Sequence, residues 1–345
     1  MQRNKFGRPD FSERNGLELV GIRAFVSYSS GMKPIFIAIV SASASFSALA
    51  AEVTEIKIKS SLNGTEQKAL YWAAPESAKK AAPLLVWLHS WSGNYKQKNG
   101  CLAECEKRGW SLILPDFRGP NWTPQACASE LAVRDVLDAV EWMKKNTKVD
   151  TERVYLAGSS GGGHMSLVMA GRAPELWAGV SAWVPISDLA AWHRECTESG
   201  RRYADNMVKV CGGAPGKSKT VDEEYRNRSP QTWLTKATGV NLDINAGIHD
   251  GHTGSVPVTH SLHAFNVLAE ANGEGAKKLT AVQLKFFRTK RKAPAALRFK
   301  GTGDSNRKHE VLFRRSSGNA RVTVFEGGHE ADLGAAIRWL EEQRK

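Results

Sequence analysis

Short apolar runs alternate with segments of helical period through most of the chain. Residues 53–59 and 69–73 alternate apolar and polar positions, the pattern of strands with one solvated face, and predict an opening antiparallel hairpin. Residues 84–89 (Leu-Leu-Val-Trp-Leu-His) and 110–115 (Trp-Ser-Leu-Ile-Leu-Pro) are apolar almost throughout, as strands buried on both faces must be. Residues 129–146 follow a helical period, with Leu131, Leu137 and Val140 among the apolar positions. Asp150 then precedes a further buried run at 153–157, residues 178–184, 242–246 and 321–325 continue the series, and 333–343 predicts a closing helix. Strands separated by helices imply βαβ units, and so an α/β fold on a mostly parallel sheet.

Two stretches interrupt this rhythm. Residues 188–236 are polar and too long for a plain connection, so they read as a lid-like insertion. Residues 277–321 carry 14 Lys and Arg against two Asp and Glu and read as a basic insertion. The whole chain has a formal net charge of +13, which by itself would point to a polyanionic partner. Nearly all of that excess lies in the basic segment, so a nucleic-acid partner is not expected.

The N-terminus carries different information. Met32-Lys33, an apolar stretch from Pro34 to Val40 and the small residues of Ala48-Leu49-Ala50 have the order of a secretory signal peptide with an A-x-A cleavage site. Residues 1–31 then read as a start-site extension, 32–50 as the signal and 51–345 as a single catalytic domain. Such a protein is secreted or periplasmic, with no stable membrane association. An oxidising compartment permits disulfides. Of the five cysteines, Cys101, Cys105, Cys127, Cys196 and Cys211, the first expected pair is Cys196–Cys211, across one polar loop.

Gly158-Ser159-Ser160-Gly161-Gly162 matches G-x-S-x-G, directly after the run at 153–157 and before a helical segment. That strand–turn–helix context is what a nucleophile elbow requires. A chain reversing this sharply holds the central side chain at strained dihedrals and tolerates only small neighbours, which makes Ser160 the nucleophile. Ser159 would need glycine at Ala157. A phosphate loop would need a lysine after the turn, and a dinucleotide loop would need glycine at 160.

A serine nucleophile needs a general base, and histidine has the appropriate pKa. His329, in Glu326-Gly327-Gly328-His329, lies between the last strand and the last helix, where the chain order Ser, acid, His places it. Asp250, just past the strand at 242–246, is the expected acid, with Asp188 as the alternative. The oxyanion needs two N–H donors: Gly161, after the nucleophile, and Trp91 or else Ser90, in the loop after 84–89. His249, His252, His260 and His263 cluster in sequence but lack the carboxylate–histidine spacing of a metal site, so neither a metal nor a cofactor is expected.

Together these residues resemble a known family. His89-Ser90-Trp91-Ser92-Gly93, Pro115-Asp116-Phe117-Arg118-Gly119, the Gly158–Gly163 elbow, Val256-Pro257 after the acid and the closing Gly-Gly-His are similar to the catalytic domain of the prolyl oligopeptidase family of α/β-hydrolases. The resemblance covers residues 80–340. It implies an α/β-hydrolase fold with an eight-stranded sheet and Ser160, Asp250 and His329 as its triad. There are departures: Asp250 lies six residues before Val256 rather than three, Thr253 holds the usual place, and His89-Ser90 replaces His-Gly. Fewer than 40 residues separate Ala50 from His89, which leaves no room for the β-propeller of many peptidase members.

The expected activity is acyl transfer on a small ester, glycan or short peptide. Export and the loop tryptophans Trp122 and Trp192, suited to stacking on sugars, favour an esterase on decorated polysaccharide. The family name keeps a serine peptidase as the alternative. The basic segment would suit an acidic glycan.

Overall fold

The computed structural model describes residues 52–304 and 306–345; the expected extension and signal peptide lie outside them. The strands are β1 (Thr54–Lys59), β2 (Glu66–Trp72), β3 (Ala82–Leu88), β4 (Ser111–Pro115), β5 (Val149–Ser159), β6 (Gly179–Trp183), β7 (Leu242–Gly247), β8 (Val311–Ser317) and β9 (Ala320–Phe325). They form one sheet of nine strands in the order β1-β2-β4-β3-β5-β6-β7-β9-β8. From β4 across to β9 all neighbours run parallel, and β1, β2 and β8 add antiparallel edges.

The sheet has nine strands rather than the expected eight. The extra strand, β8, lies within residues 277–321 and carries Arg314 and Arg315. Its polar, basic composition hides a half-buried edge strand from any reading of apolar runs. The central strands are as their composition demands: β4, β6 and β7 are buried at every position.

The helices are α1 (Cys101–Arg108), α2 (Glu130–Asn146), α3 (Gly161–Arg172), α4 (Leu189–Glu198), α5 (Tyr203–Cys211), α6 (Lys219–Asn227), α7 (Pro230–Trp233), α8 (Thr259–Ala271), α9 (Ala281–Lys290) and α10 (Leu333–Glu341). Their starts are set by local chemistry. Ser129 caps α2 by accepting from Ala132 N, and Thr280 caps α9 reciprocally with Gln283, each side chain satisfying an otherwise orphaned backbone N–H.

The polar stretch 188–236 is the four helices α4–α7. They have a core of their own, in which Trp192, Cys196, Met207, Val210, Cys211 and Tyr225 pack with Trp91 and Val256. Cys196 and Cys211 both lie in this core but are not bonded to each other; all five cysteines are buried thiols. Burial pushes the Cys196 and Cys211 thiols up to about 12, so they behave as small apolar residues. Arg228 ties this helical cluster to the sheet side: its guanidinium donates to the carbonyls of Pro124, Ala126 and Cys127 and pairs with Glu224 at 2.8 Å.

Residues 277–321 contain α9 and β8 and are tied to the sheet by ion pairs. Arg307, Arg314 and Arg321 turn onto Asp304, and Arg321 also pairs at 2.6 Å with Asp243, buried in β7. Burial opposes ionisation of Asp304, but the three guanidiniums outweigh it and hold its carboxyl well below the usual range. Asp243 takes further hydrogen bonds from Asn245 and Ser181.

Arg321→Ala leaves Asp243, with 1% side-chain exposure, without its counter-charge. The variant should lose about 3 kcal/mol or more of unfolding free energy, the usual penalty for stranding a buried charge. Urea denaturation at neutral pH measures it, and a loss under about 1 kcal/mol would mean that Asn245 and Ser181 alone hold the carboxylate.

Candidate active site

Strand β5 delivers the chain to a turn that glycine makes possible. Ser160 sits at φ 59°, ψ −118° between β5 and α3, a region closed to ordinary residues without strain. Its N–H donates to the Trp183 carbonyl of β6 at 2.9 Å, and its carbonyl accepts from His164 N at 2.8 Å. A Cβ on Gly158 would meet the Gly162 backbone at 2.5 Å. One on Gly162 would overlap the Leu88 carbonyl at the end of β3, and one on Gly161 would overlap the Trp91 backbone. The glycines of the motif are therefore required by backbone approaching backbone, not by flexibility.

His329 and Asp250 lie just past the ends of two paired parallel strands, β9 and β7. His329 Nε2 lies 2.8 Å from Ser160 Oγ, and its Nδ1 lies 2.6 Å from Asp250 Oδ2. An ionised carboxylate only accepts, so Nδ1 carries the proton and Nε2 is left to accept from the serine hydroxyl. The other Asp250 oxygen accepts from Gly251 N at 2.8 Å and Val256 N at 3.0 Å. The longer loop between Asp250 and Val256 therefore still closes back on the acid. Its Gly254 lies so near that a Cβ there would overlap both Asp250 Oδ1 and His329 Cβ.

The alternatives open in the sequence occupy different places. Asp188 does not approach His329; its Oδ1 caps α4 by accepting from Ala190 N and Ala191 N. Ser90 N–H already donates to Gln97 Oε1 at 2.7 Å, whereas neither Trp91 N nor Gly161 N has a protein acceptor among the described residues. Asn121, which sequence reasoning missed, holds Trp91 from its other side: its N–H donates to the Trp91 carbonyl at 2.8 Å, and its own Oδ1 accepts from Cys127 N. Asn121 Nδ2 is buried without a partner and lies beside Gly161. Nothing in an Asn inside a Gly-Pro-Asn-Trp turn distinguishes that role from an ordinary loop amide.

A cavity of about 350 Å³ opens over Ser160 and His329. Its wall mixes the polar side chains of Ser90, Ser92, Gln97, Lys98, Asn99 and Tyr203 with the apolar ones of Leu88 and Trp91. The two tryptophans expected to bind substrate are not there. Trp192 is 1% exposed and donates its indole N–H to the Ser255 carbonyl, with its ring edge-on to Trp91 at 4.7 Å. Its amphipathic helix turns it inward, so it braces the acid loop and the Trp91 loop from behind. Trp122 is 42% exposed and lines no part of this cavity. Trp87, which its strand placed in the core, is only partly buried and does line it.

The fold and these groups define an α/β-hydrolase. The sequence profile of the prolyl oligopeptidase family matches residues 107–288, over half of the chain. The chain belongs to that family, and it is a serine hydrolase. It is 27% identical over 146 residues to a probable acetylxylan esterase A of Aspergillus clavatus, an alignment covering 37% of this chain and 47% of that one. Among solved structures it resembles an acylaminoacyl peptidase of Pyrococcus horikoshii, at 15% identity and a TM-score of 0.57 over 83% of this chain and 39% of that one. It also resembles a putative dipeptidyl aminopeptidase IV of Bacteroides ovatus, at 16% identity and a TM-score of 0.56 over 84% of this chain and 34% of that one. The chain thus spans about half the length of its esterase relative and less than two fifths of these peptidases.

Gly254→Ala should displace the acid or the base. The expected loss in kcat/KM is about a hundredfold, the scale of an ångström-sized misplacement, measured on any ester or amide that the wild type turns over. An unchanged rate would show that the loop can retreat from the triad.

His164, on α3, is fully buried; its Nε2–H donates to the Arg228 carbonyl at 2.8 Å and Nδ1 has no partner. Burial pushes its pKa down from 6.5 to about 4, so the folded protein holds it neutral. The unfolded chain takes up the proton first, and the associated stability is complete above pH 6.5 and lost as pH falls toward 4. That loss amounts to about 3 kcal/mol. His164→Gln, which keeps a donor for the carbonyl, should show a flatter decline of stability across this window in denaturant titrations; an identical slope would assign the decline to other groups.

Proposed function

We propose that the protein hydrolyses carboxylic esters, on a decorated polysaccharide, with Ser160 as nucleophile, His329 as general base and Asp250 as the acid that orients it. The observation that carries this reading is the continuous relay from Ser160 Oγ through His329 to Asp250, open to a cavity. His329 Nε2 takes the serine proton as Oγ attacks the ester carbonyl. Asp250 keeps Nδ1 protonated and stabilises the imidazolium that forms. The carbonyl oxygen becomes an oxyanion between the free N–H groups of Gly161 and Trp91, donors fixed before the reaction begins. The imidazolium then protonates the leaving alcohol. Water, activated by the same histidine, releases the acid from the acyl-serine.

Two further observations support an ester on a sugar. The cavity wall offers hydroxyl and amide groups, and an acetylxylan esterase is among the relatives. Cleavage of short peptides is the second reading, favoured by family membership and by the peptidases that share the fold. The proposal that the enzyme is exported rests on residues 32–50 alone, which lie outside the described structure.

The test sets a chromogenic acetyl ester against a prolyl anilide. The expected outcome is faster turnover of the ester, covalent labelling of Ser160 by a fluorophosphonate, and loss of both activities by about a thousandfold or more in Ser160→Ala. Preference for the anilide would make the protein a peptidase. Activity surviving in Ser160→Ala would remove the serine from the mechanism.

A further inference from the structure

A cavity of about 640 Å³ shares none of its lining residues with the cavity at Ser160. It is a cleft between α4 and α9. Ala191 and Glu195 face it from α4 with Asp188 at the N-cap of that helix, and Leu284, Lys285 and Arg288 from α9, at the spacings that put residues on one side of a helix. The first turn of α8, with Thr259 and His260, forms its inner end.

That inner end is built from buried polar groups that the hydrolytic mechanism does not use. His260, 3% exposed, accepts from Ser187 N at Nδ1, which leaves Nε2–H to donate to Glu195 at 2.9 Å. The other Glu195 oxygen takes Arg288 Nη1 at 2.6 Å. Burial opposes ionisation of Glu195, but the His260 hydrogen bond and the charge of Arg288 outweigh it and hold the carboxyl below its usual value. Glu195 is therefore engaged on both oxygens and serves to fix the Arg288 fork across the cleft.

The cations beside it are not engaged. Arg194 on α4 and Lys285 on α9 line the same cleft from opposite walls, and among the described residues neither has a carboxylate within ion-pair reach. The N-termini of α8 and α9, at Thr259 and Ala281, also border it and add positive potential. Hydroxyl-binding groups stand next to these charges. Thr259 and Gln231 line the cleft with no side-chain partner among the described residues, and Asp188 has committed only Oδ1 to its cap. A site of this make-up suits one carboxylate set among several hydroxyls, which is the chemistry of a uronic-acid sugar.

We propose that the cleft between α4 and α9 binds an acidic oligosaccharide, with Arg194, Lys285 and Arg288 taking the carboxylate and Thr259, Gln231 and Asp188 the hydroxyls. The choice of a glycan rests on the polysaccharide reading above; the cleft itself is independent of the triad. It also assigns two of the cations of the basic segment, Lys285 and Arg288, a ligand.

Isothermal titration calorimetry of the intact protein tests this with three probes: an unesterified xylo-oligosaccharide bearing glucuronic acid, the neutral oligosaccharide of the same length, and sodium phosphate. The acidic oligosaccharide should bind, more weakly as salt is raised, and the neutral one should not. Arg194→Ala/Lys285→Ala, two exposed changes, should weaken binding about tenfold or more while leaving acetyl-ester turnover unchanged. Equal binding of the neutral sugar, phosphate binding as tightly as the acidic oligosaccharide, undiminished binding by the double variant, or no binding at all would each overturn the proposal. A wild type that binds the acidic sugar but turns over no ester would instead retain the cleft and overturn the functional reading.

Discussion

The close approach of the elbow backbone to the end of β3 is the contact on which the rest of the site depends. Gly162 lies against the Leu88 carbonyl and Gly161 against the Trp91 backbone, so α3 can start only where two adjacent residues lack side chains. That approach does three things at once. It holds Ser160 in a strained conformation, brings Gly161 close to Trp91 N, and leaves α3 buried throughout its length except its last residue. The helix is therefore as much part of the core as the sheet, and the strain at Ser160 is held by packing on every side.

The same device brings Asp250 and His329 together. A Cβ on Gly247, the last residue of β7, would overlap the Gly328 carbonyl, so the acid loop and the histidine loop leave the sheet in contact. Hydrogen bonds from Ile248 N to Phe325 O and from His249 N to Gly327 O continue the pairing of β7 and β9 past the strands, and His249 reaches Glu326 across the two loops. Because β5, β7 and β9 are parallel, their loops emerge at one edge of the sheet. Three residues far apart in sequence then meet with little further adjustment. Trp192 completes the frame from outside by bracing both the Ser255 carbonyl and the ring of Trp91.

This explains which parts were legible in the sequence. The central strands could be read because burial on two faces leaves a run of apolar residues with no competing explanation. Ser160, Asp250 and His329 could be read because glycines and strand ends mark them. Strand β8 could not, since each of its faces carries an arginine, and the partners of the two, Asp304 and Lys277 O, come from other segments. The direction of Trp192 was equally hidden: an aromatic residue in a polar stretch looks available until the helices around it supply a core. Asp188 and Asp250 both follow parallel strands, and only the third dimension shows that one caps a helix and the other meets the histidine. Cys196 and Cys211 flank a polar stretch in sequence, yet both thiols are buried among aromatic and aliphatic side chains.

The charge of the molecule acquires a different meaning in space. Residues 277–321 look like a single basic face when counted along the chain, but four of their arginines show two different arrangements. Arg307, Arg314 and Arg321 turn inward to carboxylates that the sheet has already partly buried, where they act as structural counter-charges. Arg288 is held across a cleft by Glu195, with Lys285 one turn earlier on the same helix left without a carboxylate. A buried carboxylate fixes a guanidinium in either place, but what surrounds the pair differs. Beside Asp243 the neighbours are strand side chains that leave no space, whereas beside Glu195 they are helix faces that stand apart. Net charge along a sequence reports neither arrangement, because it is the geometry of the anion, buried or bordering a cavity, that decides whether a cation is spent on the fold or remains available to a ligand.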